Sequence, residues 1–326
     1  MRNHCSRAPH IPLLLAVALG LSGCASFSDD GGMTVVSEVA GRTIKKDVAF
    51  VHTADQAERT SGVVARLLSH PLTADSAVQV ALLNNKGLQA SYHELALAET
   101  ELVQDSLPPN PTFSLSRIAG DGASEAERQV VGDILGLATL PFRSDIARDR
   151  FKTAQFKAAL ATLKLAAEVR RAYFRSVAAN ELVGLLADAK STAEATAQLA
   201  TKLGETGSLN KLDQAREQVF YTETSADLAA ARQAASSARE RLARLMGAWG
   251  SDLGFRIPDT LPALPRRPQS LPAIERDAVT HRLDLQIARI ALAALAKSLD
   301  LTEATRFVTI LDVAGIMTKQ IGRAHV

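Results

Sequence analysis

Two very long helical segments occupy residues 144–247, and they constrain the fold more than any other feature of the chain. In the second segment, apolar and small residues recur at alternating spacings of three and four, the seven-residue repeat of a helix that packs against another helix. These residues are Tyr221, Thr224, Leu228, Ala231, Ala235, Ala238, Leu242 and Leu245. Gly204 and Gly207 interrupt the helical pattern between the two segments. The sequence therefore predicts a long helical hairpin.

The first segment carries apolar residues in two successive stripes. The first stripe is Phe156, Leu160, Leu163, Ala167, Phe174 and Val177, and the second is Leu182, Leu185, Ala189, Thr192, Thr196, Leu199 and Leu203. A helix of about 60 residues is roughly 90 Å long. A compact domain does not need helices of that length, so the hairpin predicts a rod or a tube.

Composition and charge argue against several functional classes. The 326 residues are 47% hydrophobic but only 4% aromatic, and a net charge of +2 gives no strong field for binding nucleic acid. The histidines at 52, 70, 93 and 281 lack metal-ligand spacing, and no glycine-rich phosphate loop is present. We therefore expect no enzyme activity, no metal and no cofactor.

The N-terminus has the pattern of an export signal. A basic start and an apolar run over 11–21 are followed by Leu21-Ser-Gly-Cys24, which resembles the bacterial lipobox. By that resemblance residues 1–23 are a signal peptide, the thiol of Cys24 carries lipid, and residues 24–71 form a tether. Ala25 then favours the outer membrane over the inner one. An ordinary signal peptide with a chance cysteine is the alternative.

Between the tether and the hairpin, the pattern predicts a helix and two strands. Thr73 is a plausible N-cap for a helix that must end before Pro108. Residues 112–118 alternate polar and apolar side chains, which predicts a strand, and a second strand is predicted over 129–140. Phe113 and Leu115 then share one face of the first strand. Two strands cannot close a barrel alone, but they can contribute to a barrel shared by several chains, or pack as a hairpin on a helix.

The rest of the chain repeats the order of its beginning. A crossover over 251–271 is rich in proline. The apolar positions at 278, 285, 292 and 299 then lie 197 residues after those at 81, 88, 95 and 102. With two residues deleted, 307–315 aligns with 112–120. We therefore divide the chain into a first repeat over 72–250 and the start of a second repeat over 272–320.

The last six residues, 321–326, match one reading frame of a common sequencing adapter. We expect the native frame to continue past Gln320, and we expect this chain alone to be unable to close a functional barrel.

Several short motifs in this order resemble the TolC-like outer-membrane efflux family, over about residues 73–315. They are Ala81-Leu82 with Asn84-Asn85, Pro109-Asn110-Pro111, Leu140-Pro141-Phe142, Val169-Arg-Arg-Ala-Tyr173, and Gly207-Ser208-Leu209 with Leu212-Asp213. One departure is Arg143-Ser144-Asp145, where many relatives have a glycine pair. The resemblance implies a mainly α fold with a small β part: long antiparallel α-hairpins that form an α-barrel tunnel, and strands contributed to a shared trimeric transmembrane β-barrel.

The resemblance also implies a function. The protein would be a passive homotrimeric exit duct in the outer membrane of a Gram-negative bacterium, extending into the periplasm, with Phe113 and Leu115 facing lipid. Gly207, Ser208 and Leu209 would contact a periplasmic adaptor, which links the duct to an inner-membrane pump. Metal ions, drugs, solvents and polypeptides all remain open as cargo. A periplasmic coiled-coil lipoprotein, acting as an adaptor or a spacer without channel activity, is the alternative.

Overall fold

The computed structural model describes residues 26–120, 123–264 and 274–322. The helices are α1 (33–44), α2 (Ala54–Leu68), α3 (Ala74–Asn84), α4 (Lys86–Asp105), α5 (Ile134–Glu205), α6 (Lys211–Met246), α7 (Ile274–His281) and α8 (Leu283–Ala304). The strands are β1 (Thr112–Gly120), β2 (Ala123–Asp133) and β3 (Asp312–Gly322). The prediction of a mainly helical chain with a small β part is confirmed. Cys24, the predicted signal peptide, residues 265–273 of the crossover and residues 323–326 lie outside the described residues.

The chain forms two compact units. Residues 94–156 and 283–322, with 26–32, belong to the first unit, and residues 33–93 and 157–282 belong to the second. None of the described helices combines the length and apolarity that a membrane-crossing helix requires.

The first unit contains an antiparallel sheet with strand order β1–β2–β3. Phe113 pairs with Val130, which in turn pairs with Gly315, so the register is continuous across all three strands. Both ends of the β1–β2 hairpin connect to long helices, α4 before β1 and α5 after β2. The helices therefore attach at one end of the sheet, and the β1–β2 turn lies at the other end.

The predicted second strand is wrong in its position. It covers 123–133 rather than 129–140, and α5 begins at Ile134, ten residues before the predicted start of the hairpin. Asp133 explains the early start, because its carboxylate accepts the amide hydrogen of Gly136 at 2.7 Å in the manner of an N-cap. The amide of Ile134 donates to the carbonyl of Leu311 at 2.9 Å. Pro141 is accommodated inside the helix rather than ending a strand.

The third strand also differs from its prediction. Residues 307–311 precede the sheet, and β3 pairs with β2 from Asp312 to Gly322.

The core of the second unit is built around α3. A capping box starts this helix, in which the Thr73 and Ser76 side chains accept each other's backbone amides, so Thr73 is the predicted N-cap. Its buried residues are Ala77, Val78, Val80, Ala81 and Leu82. The predicted single helix is broken at Asn85, whose ψ of 115° is extended, before α4 begins at Lys86.

The two helices of the long hairpin differ in how well the sequence predicted their buried faces. In α6 the predicted stripe is correct, because Thr224, Leu228, Ala231 and Leu242 are all buried. In α5 the predicted second stripe is largely wrong. The residues buried on that part of α5 are Ala193, Ala197 and Ala200, whereas Leu182, Leu185 and Leu199 are exposed. Alanine side chains are small, so the face of α5 that carries them can approach a neighbouring helix closely. The leucines lie on other faces of α5 and are exposed in this chain.

The predicted tether is not a free linker over its described part. Helices α1 and α2 occupy most of it, and Val36, Ala40 and Val64 are buried. The side chain of Gln89 on α4 donates to the carbonyl of Ala49 at 3.0 Å and accepts from the amide of Val51.

The described part of the crossover is fixed to α6 through Arg239. Its guanidinium donates to the carbonyls of Leu253 and Phe255 and lies 4.1 Å from the centre of the Phe255 ring. Arg239 therefore holds the described part of the crossover against α6.

The helix break in the second half supports the internal repeat. Helices α7 and α8 are separated at Arg282. Arg282 lies 197 residues after Asn85, where α3 and α4 are separated, and this is the offset that aligned the two helical patterns.

Candidate functional sites: sheet faces, hairpin tip and helix junction

One face of the sheet carries five large exposed apolar side chains, and we call it the apolar face. The register places Phe113, Leu115, Val130, Val313 and Met317 on it. Their exposed fractions are 67%, 66%, 48%, 60% and 66%. Exposure of this many large apolar side chains on one face is typical of a surface that contacts a partner or a membrane. The structure thus brings Phe113 and Leu115, the two predicted lipid-facing residues, onto one uncovered face.

The opposite face, here called the polar face, has a different chemistry. Its residues include Ser114, Ser116, Gln129, Glu127, Glu125 and Thr318, together with the apolar residues Ile118, Val131 and Ile316. Ser114 pairs with Gln129 and their side chains approach to 3.4 Å. The strands therefore have two chemically distinct sides, both accessible.

The sheet has two open edges within the described part of the chain. β2 is the central strand, and β1 and β3 each pair with a described strand on one side only. Open edges expose backbone amides and carbonyls that can pair with further strands.

The turn that joins α5 to α6 is a compact helix-ending motif centred on Gly207. The amide of Ser208 donates to the carbonyl of Leu203 at 2.8 Å, and the amide of Gly207 donates to that of Gly204 at 3.1 Å. These are the two bonds of a Schellman motif, which requires a left-handed residue. Gly207 has φ +74°, and no atom lies within 4 Å of the position its Cβ would take. Its surface is therefore open to a partner.

Ser208 is not the N-cap of the next helix. The cap of α6 is Asn210, whose side-chain oxygen accepts the amide hydrogen of Asp213 at 2.9 Å. Of the three predicted adaptor contacts, Gly207 and Ser208 are exposed and Leu209 is half-buried. The more accessible apolar residue beside the tip is Leu212, at 61% exposed. Leu212 belongs to the Leu212-Asp213 motif and is the second residue of α6, two positions after the cap.

The C-terminal end of α6 packs closely against the break between α3 and α4. The side chain of Asn84 donates to the carbonyl of Gly247 at 2.8 Å, and that of Asn85 donates to the carbonyl of Leu245 at 2.9 Å. The oxygen of the Asn85 side chain accepts the amide of Leu88 at 2.9 Å. Gly247 has φ +67°, and a Cβ there would lie 2.6 Å from the Asn84 carbonyl oxygen. The Asn84-Asn85 pair therefore joins three helix ends.

Residues of the Val169–Tyr173 motif attach α5 to the start of α3. The Tyr173 hydroxyl donates to the Leu72 carbonyl at 2.9 Å, and burial raises the pKa of Tyr173. The Arg170 guanidinium pairs with Asp75 at 2.7 Å. This motif has a structural role in the second unit.

A second buried tyrosine links α4 to α5. The hydroxyls of Tyr92 and Thr162 are 2.8 Å apart, and Thr162 donates to the carbonyl of Ala158. Tyr92 is therefore the donor of the pair, and burial raises the pKa of Tyr92 to about 12.

A charged cluster joins α8 to the start of α5 in the first unit. The ammonium of Lys297 donates to Asp145 at 2.6 Å and to Asp149 at 2.7 Å. The hydrogen bond from Lys297 lowers the pKa of Asp145, and its bond to Asp145 raises the pKa of Lys297. Asp145 is part of the Arg143-Ser144-Asp145 segment, so this segment takes part in an ion pair between α5 and α8.

Lys297→Met is expected to lower the thermal midpoint of unfolding at pH 7 and to have little effect at pH 2. The lowered pKa of Asp145 means that its pairing stabilises the fold above the ordinary carboxyl value of 3.8, and that this contribution is lost as the pH falls through the lowered value. Melting curves at the two pH values measure the difference.

Lys157→Met is the control, because Lys157 is an exposed lysine on α5 that makes no ion pair in the described part of the chain. An equal effect of the two substitutions, or an effect of Lys297→Met that persists at pH 2, would contradict the ion-pair account.

Within the described residues, no group of three or more His, Cys, Asp or Glu side chains is arranged to hold a metal ion.

Comparison with known sequences gives one informative relative. No family profile matches the chain. The chain is 27% identical over 211 residues to the cobalt-zinc-cadmium resistance protein CzcC of Cupriavidus metallidurans, an alignment that covers 63% of this chain and 49% of CzcC. The chain thus spans about half the length of this curated relative.

The similarity to solved structures covers more of the chain than the similarity to CzcC. CusC superposes with a TM-score of 0.61 at 16% identity, over 78% of this chain and 66% of CusC. The outer membrane channel CmeC of Campylobacter jejuni gives 0.61 at 15% identity, over 77% of this chain and 61% of CmeC. The outer-membrane channel OprN superposes with a TM-score of 0.58 at 15% identity, over 92% of this chain and 71% of OprN. The chain has the fold of the TolC-like outer-membrane channels.

Within the TolC-like fold, the short motifs can now be given structural roles. Asn84-Asn85 forms the helix junction, and Val169–Tyr173 attaches α5 to α3. Leu140-Pro141-Phe142 lies in the first turns of α5, and Gly207-Ser208 closes the hairpin. These motifs lie at the points where the direction of the chain changes or where elements meet.

Proposed function

We propose that the protein is the outer-membrane exit duct of a tripartite efflux system, a passive homotrimer that extends into the periplasm. The observation that carries this proposal is the apolar face, on which Phe113, Leu115 and Met317 are each about two-thirds exposed. Strands with alternating apolar and polar faces suit a barrel wall between lipid and a water-filled lumen. In that setting Phe113 and Leu115 face lipid, while Ser114 and Ser116 face the lumen.

The open sheet edges and exposed leucines support a shared assembly. β1 and β3 can each pair with a further strand, as a barrel built from several chains requires. Leu182, Leu185 and Leu199 lie exposed along α5, where a neighbouring chain can cover them. A periplasmic spacer or adaptor needs neither feature. The comparisons also supply no observation that favours a spacer or adaptor, since the similar proteins include CzcC, CusC, CmeC and OprN.

The hairpin tip is the proposed docking site for the periplasmic adaptor, which connects the duct to an inner-membrane pump. Gly207 and Ser208 are exposed, and Leu209 supports the turn from a half-buried position. Leu212 adds an exposed apolar contact beside them. In this arrangement the duct supplies no energy and opens when the adaptor and pump engage.

Cys24 is the proposed lipid attachment site, and the outer membrane is the proposed location of the anchor. For cargo, the resistance named for CzcC makes cobalt, zinc and cadmium ions the first to test.

Ser208→Trp in the native gene product is expected to abolish metal resistance while leaving the protein in the outer membrane. A large indole at an exposed position of the turn blocks close approach of an adaptor without disturbing the Schellman bonds, which use only backbone atoms. Growth of a deletion strain on cobalt, zinc and cadmium, complemented by each variant, measures the effect.

Ser237→Trp places the same side chain at an exposed position in the middle of α6 and is expected to restore resistance fully. Equal resistance of both variants in a strain whose deletion is metal-sensitive would contradict docking at the tip. A deletion that changes no metal sensitivity would remove these ions as cargo.

A further inference from the structure

The apolar face also carries three cations in one cluster. Arg117 and Lys319 pair with Ala126 from opposite sides, and Arg128 lies two residues along β2 from Ala126. All three share the face of Phe113 and Leu115 because cross-strand partners point to the same side of a sheet. We name Arg117, Arg128 and Lys319 the basic cluster.

The basic cluster lacks a counter-ion in the described part of the chain. All three side chains are exposed, and none makes an ion pair or hydrogen bond with a described residue. The acidic residues of the sheet, Glu125 and Glu127, lie on the polar face. Strands are about 4.8 Å apart, so Arg117 and Lys319 are roughly 10 Å apart at their backbones, with Arg128 between them along the sheet.

The position of the basic cluster along the strands is informative. Phe113, Val130 and Val313 lie toward the helical end of the sheet, whereas Arg117, Ala126 and Lys319 lie toward the β1–β2 turn. Under the proposed function the helices are periplasmic, so the turn points to the outside of the cell. Arg117 and Lys319 then lie toward the outer leaflet. Arg128 is level with Leu115 and Met317, near the middle of their strands, and its long side chain can extend toward the same headgroup region.

We propose that the basic cluster binds the phosphate groups of lipid A in the outer leaflet. Three cations on an otherwise apolar surface repel one another unless an anion lies between them, and this repulsion is strong beside low-dielectric lipid. Phosphate suits the site because arginine binds it through paired hydrogen bonds. The acyl chains of the same lipid would cover Leu115 and Met317, which flank Arg128 on both neighbouring strands. This inference rests on the proposed function.

The test compares lipid A retained by the native gene product extracted from outer membranes in mild detergent. Mass spectrometry measures the lipid A bound per protein chain after washing. R117Q/R128Q/K319Q is expected to retain about tenfold less lipid A or lower still, since each basic residue near an anionic lipid surface strengthens binding. K157Q/K164Q/R171Q removes the same charge from exposed positions on α5 and is expected to retain as much as the wild type.

Two further arms identify the ligand. R117K/R128K keeps the charge and is expected to retain most of the lipid, which separates loss of binding from loss of folding. The wild type is expected to bind vesicles containing lipid A but not vesicles containing fully dephosphorylated lipid A. Inorganic phosphate at the same phosphate concentration is expected not to displace the lipid.

The outcomes separate this inference from the proposed function. Equal retention by both triple variants, binding of dephosphorylated lipid A, or displacement by equimolar inorganic phosphate would overturn the lipid site while leaving the duct in place. Absence of the wild type from the outer membrane would overturn both.

Discussion

Replacing both Phe113 and Leu115 with arginine is expected to keep the native gene product out of the outer membrane. Both side chains are about two-thirds exposed on the apolar face, and no described residue covers them. In a barrel wall they contact lipid, where an arginine costs about 2–4 kcal/mol at the bilayer midplane and about 0–1 kcal/mol near the interfaces. An arginine at position 115 would also oppose the like charge of its cross-strand partner Arg128. Two such residues in each of three chains cost up to about 24 kcal/mol, which is comparable to or larger than the stability of a typical domain, about 5–15 kcal/mol.

The matched control is S114R/S116R, which adds the same two arginines to the same strand on the polar face. There Ser116 pairs with Glu127, so an arginine gains an oppositely charged neighbour. We expect this variant to reach the outer membrane in amounts close to the wild type. Fractionation of membranes with immunodetection measures both variants. Equal behaviour of the two would contradict the assignment of lipid and lumen faces.

Gly247→Ala is expected to be the most destabilising small substitution in the second unit. Its left-handed φ of +67° costs a non-glycine residue about 1–2 kcal/mol. The added Cβ would also lie 2.6 Å from the Asn84 carbonyl oxygen, and relieving such overpacking costs roughly 1–3 kcal/mol more. Asn84 and Gly247 are also hydrogen-bonded to each other, so the junction cannot open without losing that bond.

Gly250→Ala is the control for the backbone cost alone. Gly250 has a similar φ of +58°, but no atom lies within 4 Å of its Cβ position. We expect a loss of about 1–2 kcal/mol at Gly250. Denaturant unfolding of both variants, followed by circular dichroism, measures the difference. Equal losses at the two glycines would mean that the contact with Asn84 contributes nothing.

The sequence predicted the parts of the fold that depend on local chemistry. Thr73 is the N-cap of α3 because its side chain can reach the free amide of Ser76, and that pattern is readable from four residues. The stripe on α6 was also correct, because the repeat of three and four there includes small residues suited to close helix packing, such as Ala231.

Two kinds of feature could not be predicted from local chemistry: where α5 begins and which of its faces is buried. Asp133 starts α5 ten residues before the predicted hairpin, inside a run whose apolar pattern suits either a strand or a helix. Short apolar runs carry this ambiguity. A proline after such a run favours the end of a strand, whereas in the structure Pro141 lies within the first turns of α5. On α5, periodicity identified apolar stripes but not which of them packs within the chain. Alanines such as Ala197 are buried, and the more apolar Leu185 is exposed.

The hairpin tip, the proposed docking site, shows the same limit. Glycine at 207 was readable as a turn, because the Schellman motif requires a left-handed residue there. The relative exposure of Leu209 and Leu212 depends on where α6 begins, and that is set by Asn210 rather than by Ser208. The lipidation of Cys24, which lies outside the described residues, stays a prediction.

The most direct test of the central claim is the mass of the native gene product after mild extraction from purified outer membranes. Native mass spectrometry that gives three chains per particle is the result that a trimeric exit duct predicts. A single chain, or a protein recovered only from the soluble periplasmic fraction, would contradict the shared barrel and favour an anchored helical spacer.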